Sequence, residues 1–120
     1  MYKLMIVDDS KLIRRKITRE HDANTFNLVG TAENGLEAIE LFTKTEPQVV
    51  TMDLTMPHLD GIGCIEELIE RNPSIRILVV SALNDTATGI EAIEKGAMGF
   101  INKPFSGSDL KVALSELIED

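Results

Sequence analysis

Five short apolar runs recur along the chain, at residues 4–7, 27–31, 48–52, 75–80 and 99–101, most of them rich in Val and Ile. Their length and composition read as buried strands. Between and after them lie longer segments with apolar residues at helical spacing. The stripe is clearest in Ile62, Ile65, Leu68 and Ile69, and again in Leu110, Ala113, Leu114, Leu117 and Ile118. A strand followed by a helix, five times over, favours an α/β domain: a parallel sheet whose right-handed crossovers place helices on both faces. Periodicity gives no strand order. It does say where chemistry belongs, because open α/β sheets bind ligands in the loops beyond the carboxyl ends of their strands.

The residues at those ends share one chemistry. The first strand runs into Asp8-Asp9, the third into Asp53, the fourth into Ser81, and the fifth is followed by Lys103-Pro104. Three carboxylates gathered at one edge repel one another unless a cation neutralises them or one takes a proton. Magnesium fits best, since it takes one or two carboxylates, keeps several waters and leaves room for phosphate oxygens. Calcium-loop spacing is absent. Two histidines, His21 and His58, and one cysteine offer no zinc or copper set. A hydroxyl and a lysine beside the acids imply a transferred anion, and phosphoryl transfer divides its work among a metal, an ammonium, a hydroxyl donor and an in-line carboxylate. Asp53, on the middle strand, is the candidate nucleophile. Each residue also has a plainer reading: acids at strand ends cap helices, Ser81 begins a turn, and lysine before proline is common in loops.

The remaining features bound the answer. A chain of 120 residues is the size of one domain, and residues 1–120 are read as one. Nothing resembles a signal peptide or a bilayer-spanning run, so a cytoplasmic protein without membrane insertion is expected. Cys64 has no partner for a disulfide and lies at core spacing among Ile62, Ile65 and Leu68. A formal charge of −8 argues against direct nucleic-acid binding. Against it stands one basic stretch in the first helix, Lys11, Arg14, Arg15, Lys16 and Arg19, read either as a solvated face or as a docking surface for an acidic partner.

Along nearly its whole length the sequence resembles the receiver domains of two-component response regulators. The resemblance is carried by Ile6-Val7-Asp8-Asp9-Ser10, by Ala32-Glu33-Asn34-Gly35, and by Met52-Asp53-Leu54-Thr55-Met56-Pro57 leading to Asp60-Gly61. Val80-Ser81-Ala82 and Gly99-Phe100-Ile101-Asn102-Lys103-Pro104-Phe105 complete it. It implies a doubly wound, flavodoxin-like sheet of order 2-1-3-4-5 with five helices. It implies that Asp53 accepts phosphate from a histidine kinase or phosphotransfer protein. Asp9, Asp53 and the carbonyl of Thr55 would then bind Mg2+, with Asp8 acting through water. Lys103 and Ser81 would hold the phosphoryl group, and Phe100 would turn inward as the switch. Thr55 and Leu83 are implied tuners of dephosphorylation. The responding surface would lie on the fourth helix, fifth strand and fifth helix, with Glu91, Lys95, Phe100 and Lys111 among its residues.

Some positions depart from the family pattern. Residues 18–27 are unusually polar for the end of the first helix, and Asn102 stands where an apolar residue is usual. The favoured reading is a single-domain, chemotaxis-like, monomeric signalling protein that turns over no separate metabolite. Its rival within the family is a receiver cut from a longer regulator. A haloacid-dehalogenase-type phosphatase shares the aspartate nucleophile and magnesium, but it wants a second aspartate where Thr55 stands, and a cap domain. A nucleotide-binding module would need a P-loop, and Gly61-Ile62-Gly63 lacks the rest of a dinucleotide motif. A degenerate scaffold is opposed by the intact set Asp8, Asp9, Asp53, Ser81 and Lys103.

Overall fold

The computed structural model describes residues 1–82 and 86–119. Among them the strands are β1 (Tyr2–Val7), β2 (Phe26–Ala32), β3 (Val49–Met52), β4 (Arg76–Ser81) and β5 (Gly99–Asn102). The helices are α1 (Lys11–Glu20), α2 (Gly35–Thr45), α3 (Gly61–Arg71), α4 (Thr86–Glu94) and α5 (Gly107–Leu117). All strand pairs are parallel, and the sheet order is β2-β1-β3-β4-β5. The expected doubly wound α/β fold is therefore observed, with its strand order.

The two-residue period of the strands sorts their side chains into two cores. Met5, Val7, Val50, Met52, Ile77 and Val79 point to one face and meet Ala38 and Phe42 of α2, Cys64, Ile65 and Leu68 of α3, and Ala92 of α4. Leu4, Ile6, Val49, Leu78 and Val80 point to the other and meet Ile17 of α1 and Leu110, Leu114 and Leu117 of α5, with Phe105 from the preceding loop. Each such aliphatic side chain, fully buried, contributes about 1.5–3 kcal/mol. The helices are anchored unequally. Among the described residues α4 buries Ala92 alone, while Ile90 and Ile93 remain about half exposed.

The polar stretch after α1 resolves into a short connection. His21 closes α1 by donating its backbone N–H to the Ile17 carbonyl, and the N–H groups of Thr25 and Phe26 turn back onto the Asp22 carbonyl before β2 begins. β2 carries a bulge: Leu4 pairs with Leu28 and Met5 with Gly30, leaving Val29 as the extra residue. No helix among the described residues is long and apolar enough to cross a membrane.

Candidate functional site

The carboxyl edge of the sheet brings the expected residues together. Asp8 follows β1, and its N–H donates to the Ala32 carbonyl at 3.0 Å. Asp53 follows β3, with its N–H on the Val7 carbonyl at 3.0 Å. Lys103 follows β5, with its N–H on the Ser81 carbonyl at 2.9 Å. These ladder bonds fix the three backbones side by side, and the side chains converge. One carboxylate oxygen each from Asp8, Asp9 and Asp53 lies within 4.8 Å of the others. Lys103 Nζ stands 2.8 Å from Asp8 Oδ2 and 3.6 Å from Asp53 Oδ1.

Helix capping does not account for these acids. The cap of α1 is Ser10, whose Oγ accepts from Ile13 N–H, and the cap of α3 is Asp60, whose carboxylate accepts from Gly63 N–H. Asp8 Oδ1 accepts from Ser10 N–H at 2.9 Å and Asp53 Oδ1 from Thr55 N–H at 3.3 Å. Asp8 Oδ2 meets the Lys103 ammonium as an ion pair outside hydrogen-bond geometry, and no described residue gives it a directed donor.

Burial and charge act on the cluster together. Asp8 and Asp53 are 1% and 3% exposed, whereas Asp9 lies at the solvent rim. Asp53 is pushed up to about 6 from an ordinary 3.8, first by burial and then by the Asp8 charge. Lys103 and the Thr55 N–H oppose that rise. Three carboxylates against one ammonium leave the site short of positive charge, and every free donor is a hard oxygen. That set fits a small divalent cation of the magnesium kind, held through few carboxylates with water completing its shell. Asp8, Asp9 and Asp53 can hold it.

The loop after Asp53 is held by α3. A Cβ on Gly61 would lie 2.2 Å from the Asp53 carbonyl oxygen and 2.5 Å from Leu54 Cα, so only glycine allows the helix to start this close. Thr55 is exposed on this loop, and Ser81 is buried at the end of β4, in register with Asn102. Phe100 is half-buried against α4, where a Cβ on Gly89 would be 3.2 Å from its ring. Leu83 lies outside the described residues.

Other expectations separate here. Cys64 is fully buried, with its thiol pushed up to about 12 chiefly by burial, which suits a core residue and not a nucleophile. His58 is exposed, and His21 Nδ1 donates locally to the Ile17 carbonyl. Glu91 and Lys111 are exposed, and Lys95 reaches across to Glu66 of α3 at 3.9 Å. The basic stretch divides. Lys11, Arg15 and Arg19 face solvent, while Arg14 Nη1 donates to the Asp8 carbonyl at 2.7 Å and Lys16 turns inward to the loop before α5. The contacts of Arg14 with the Asp8 carbonyl and of Lys16 with the Phe105 carbonyl were missed from sequence, where both residues merge into a run of like charges.

Comparison with known proteins agrees with this geometry. Residues 4–115 match the family model described as the response regulator receiver domain. The chain is similar to the chemotaxis protein CheY of Listeria monocytogenes, 37% identical over 97% of this chain and 98% of that protein. It is also similar to the protein-glutamate methylesterase/protein-glutamine glutaminase of Methanococcoides burtonii, 36% identical over 98% of this chain but 34% of that protein. Among solved structures it superposes on the CheX-CheY-BeF3-Mg2+ complex of Borrelia burgdorferi with a TM-score of 0.94, at 29% identity, covering 99% of this chain and 90% of that one.

Proposed function

From the premise that this chain belongs to the receiver-domain family of response regulators, we propose that it is a phosphorylation-driven signalling switch whose acceptor is Asp53. A carboxylate oxygen of Asp53 attacks the phosphorus of a phosphohistidine on a kinase or phosphotransfer protein. The P–N bond breaks, its electron pair stays on the imidazole, and an acyl phosphate forms. Asp9, Asp53 and the Thr55 carbonyl, with Asp8 through water, would hold Mg2+, which when bound would neutralise charge on the phosphoryl oxygens.

The other groups act on the product. Lys103 is placed to pair with the phosphoryl oxygens, drawing away from Asp8, and the Ser81 hydroxyl donates to another oxygen. Movement at Ser81 then opens space into which Phe100 turns, altering the surface of α4, β5 and α5. Phosphate adds charge and acceptor oxygens, and it shifts the equilibrium only as far as these contacts differ between the two states. The chemistry is self-directed, ending in hydrolysis of the acyl phosphate, and no separate metabolite is turned over.

The observation that carries this reading is the placement of one ammonium between two buried carboxylates, 2.8 Å from Asp8 and 3.6 Å from Asp53. Residues 1–120 are read as a single cytoplasmic, monomeric receiver that neither enters a membrane nor binds nucleic acid. Similarity to a chemotaxis CheY over 97% of this chain supports a chemotaxis-type regulator. Coverage of a third of a methylesterase keeps the second reading, a receiver joined to an output domain.

Intact mass after incubation with acetyl phosphate and Mg2+ tests the proposal. One hydroxylamine-labile phosphoryl adduct is expected, absent in Asp53→Asn and in chelator. A folded chain that takes no adduct from acetyl phosphate or from candidate kinases overturns it.

A further inference from the structure

Lys16, like Arg14, does not share the solvated position of Lys11, Arg15 and Arg19. It is half-buried, its ammonium donates to the Phe105 carbonyl oxygen, and it stands 4.5 Å from the centroid of the Phe105 ring. One turn further along the same face of α1, Glu20 lies against Gly107, the first residue of α5, where a Cβ would be 2.3 Å from Glu20 Oε2. Phe105 is 4% exposed and seated in the core beneath α1 and α5. The loop that begins at Lys103 is therefore held from α1 at Phe105.

The same helix is tied to the acids. Ser10 caps it while donating its N–H to Asp8 Oδ1, and Arg14 donates to the Asp8 carbonyl. Through these contacts α1 fixes Asp8 at its amino end and Phe105 at its middle, the two ends of the span that the Lys103 side chain bridges.

We propose that Lys16 is a positioning residue for Lys103: by holding Phe105 it sets how far the Lys103 ammonium reaches toward Asp8 and Asp53. The proposal deepens the phospho-acceptor reading and rests on it for its consequence, that the phosphoryl group is held less well when Lys16 is lost. A cation is suited to the task, because it satisfies a carbonyl and a ring face at once. A neutral side chain of similar length keeps the packing and loses both attractions.

The test compares Lys16→Met, Lys16→Arg, Lys103→Ala and the Lys16→Met/Lys103→Ala pair. Side-chain NMR of the metal-free protein reads the Lys103 Cε resonance, and titration with beryllofluoride and Mg2+ reads retention of a phosphoryl mimic. Lys16→Met is expected to shift the Lys103 resonance and weaken beryllofluoride binding roughly tenfold, with Mg2+ affinity changed less than about twofold. Lys16→Arg restores both, and Lys16→Met has no further effect once Lys103 is alanine. An unmoved Lys103 resonance in folded Lys16→Met, or the full loss persisting in the Lys103→Ala background, overturns the proposal. Should Lys16→Met not fold, Lys16→Leu carries the same comparison. A wild-type chain that binds no beryllofluoride ends the phospho-acceptor reading instead, and the Lys103 resonance still decides the role of Lys16.

Discussion

Lys103 lies nearer to Asp8 than to Asp53, 2.8 Å from the first and 3.6 Å from the second. The ammonium thus compensates the most buried acid of the cluster while leaving Asp53 short of positive charge. Replacing Lys103 by Met strands the Asp8 charge. In metal-free protein that is expected to cost about 2–4 kcal/mol in urea unfolding, and it should raise Mg2+ affinity, since one cation then does the work of two. Equal or weaker Mg2+ binding in Lys103→Met would contradict this account of the ion pair.

Asp53 titrates upward on folding, from 3.8 to about 6. Between those values the folded chain holds more protons than the unfolded one, so the Asp53 contribution to stability is present below pH 3.8 and is lost as pH rises through about 6. The loss amounts to about 3 kcal/mol at most. Asp53→Asn removes it, and the metal-free variant should be more stable than the parent at pH 7 by about 1–3 kcal/mol, with the gap closing toward pH 4. Urea midpoints across that range check both the sign and the window.

Mg2+ should stabilise the folded chain by mass action, about 2.7 kcal/mol at a hundredfold excess over Kd. The melting temperature is then expected to climb with the logarithm of Mg2+ concentration. Asp9→Asn, at the exposed rim of the cluster, should shift that climb to higher Mg2+ while leaving the metal-free melting temperature nearly unchanged. A parent whose melting is indifferent to Mg2+ would refute the site.

Thr51 is buried in β3 with its hydroxyl oxygen unpartnered among the described residues. Valine has the same shape without the polar atom, so Thr51→Val should stabilise the protein by about 1 kcal/mol, read from the urea midpoint at unchanged slope.

The architecture was legible because each strand keeps its apolar run and each helix its stripe, as in Ile65 and Leu68 of α3. The acids, Ser81 and Lys103 were legible because a parallel sheet must deliver its strand ends to one edge, and the strand order came from the family resemblance. What was not legible has a physical cause in each case. The bulge at Val29 depends on how β2 pairs with β1, which no local pattern encodes. Arg14 and Lys16 make their contacts with backbone carbonyls, and a carbonyl partner leaves no trace in the identity of a residue. Glu46 ends α2 in the left-handed region at φ 49°, where sequence patterns look for glycine or asparagine.

The lone buried anchor on α4 bears on how the molecule spends its thermal energy. With Ala92 as its buried contact among the described residues and Gly89 beneath the Phe100 ring, α4 has little apolar area to surrender when it lifts. Its amides should exchange with solvent through small local openings, long before those of α3 or α5, whose stripes hold Leu68 and Leu114 fully inside. A helix that opens this readily would need only a slight bias to change its average place.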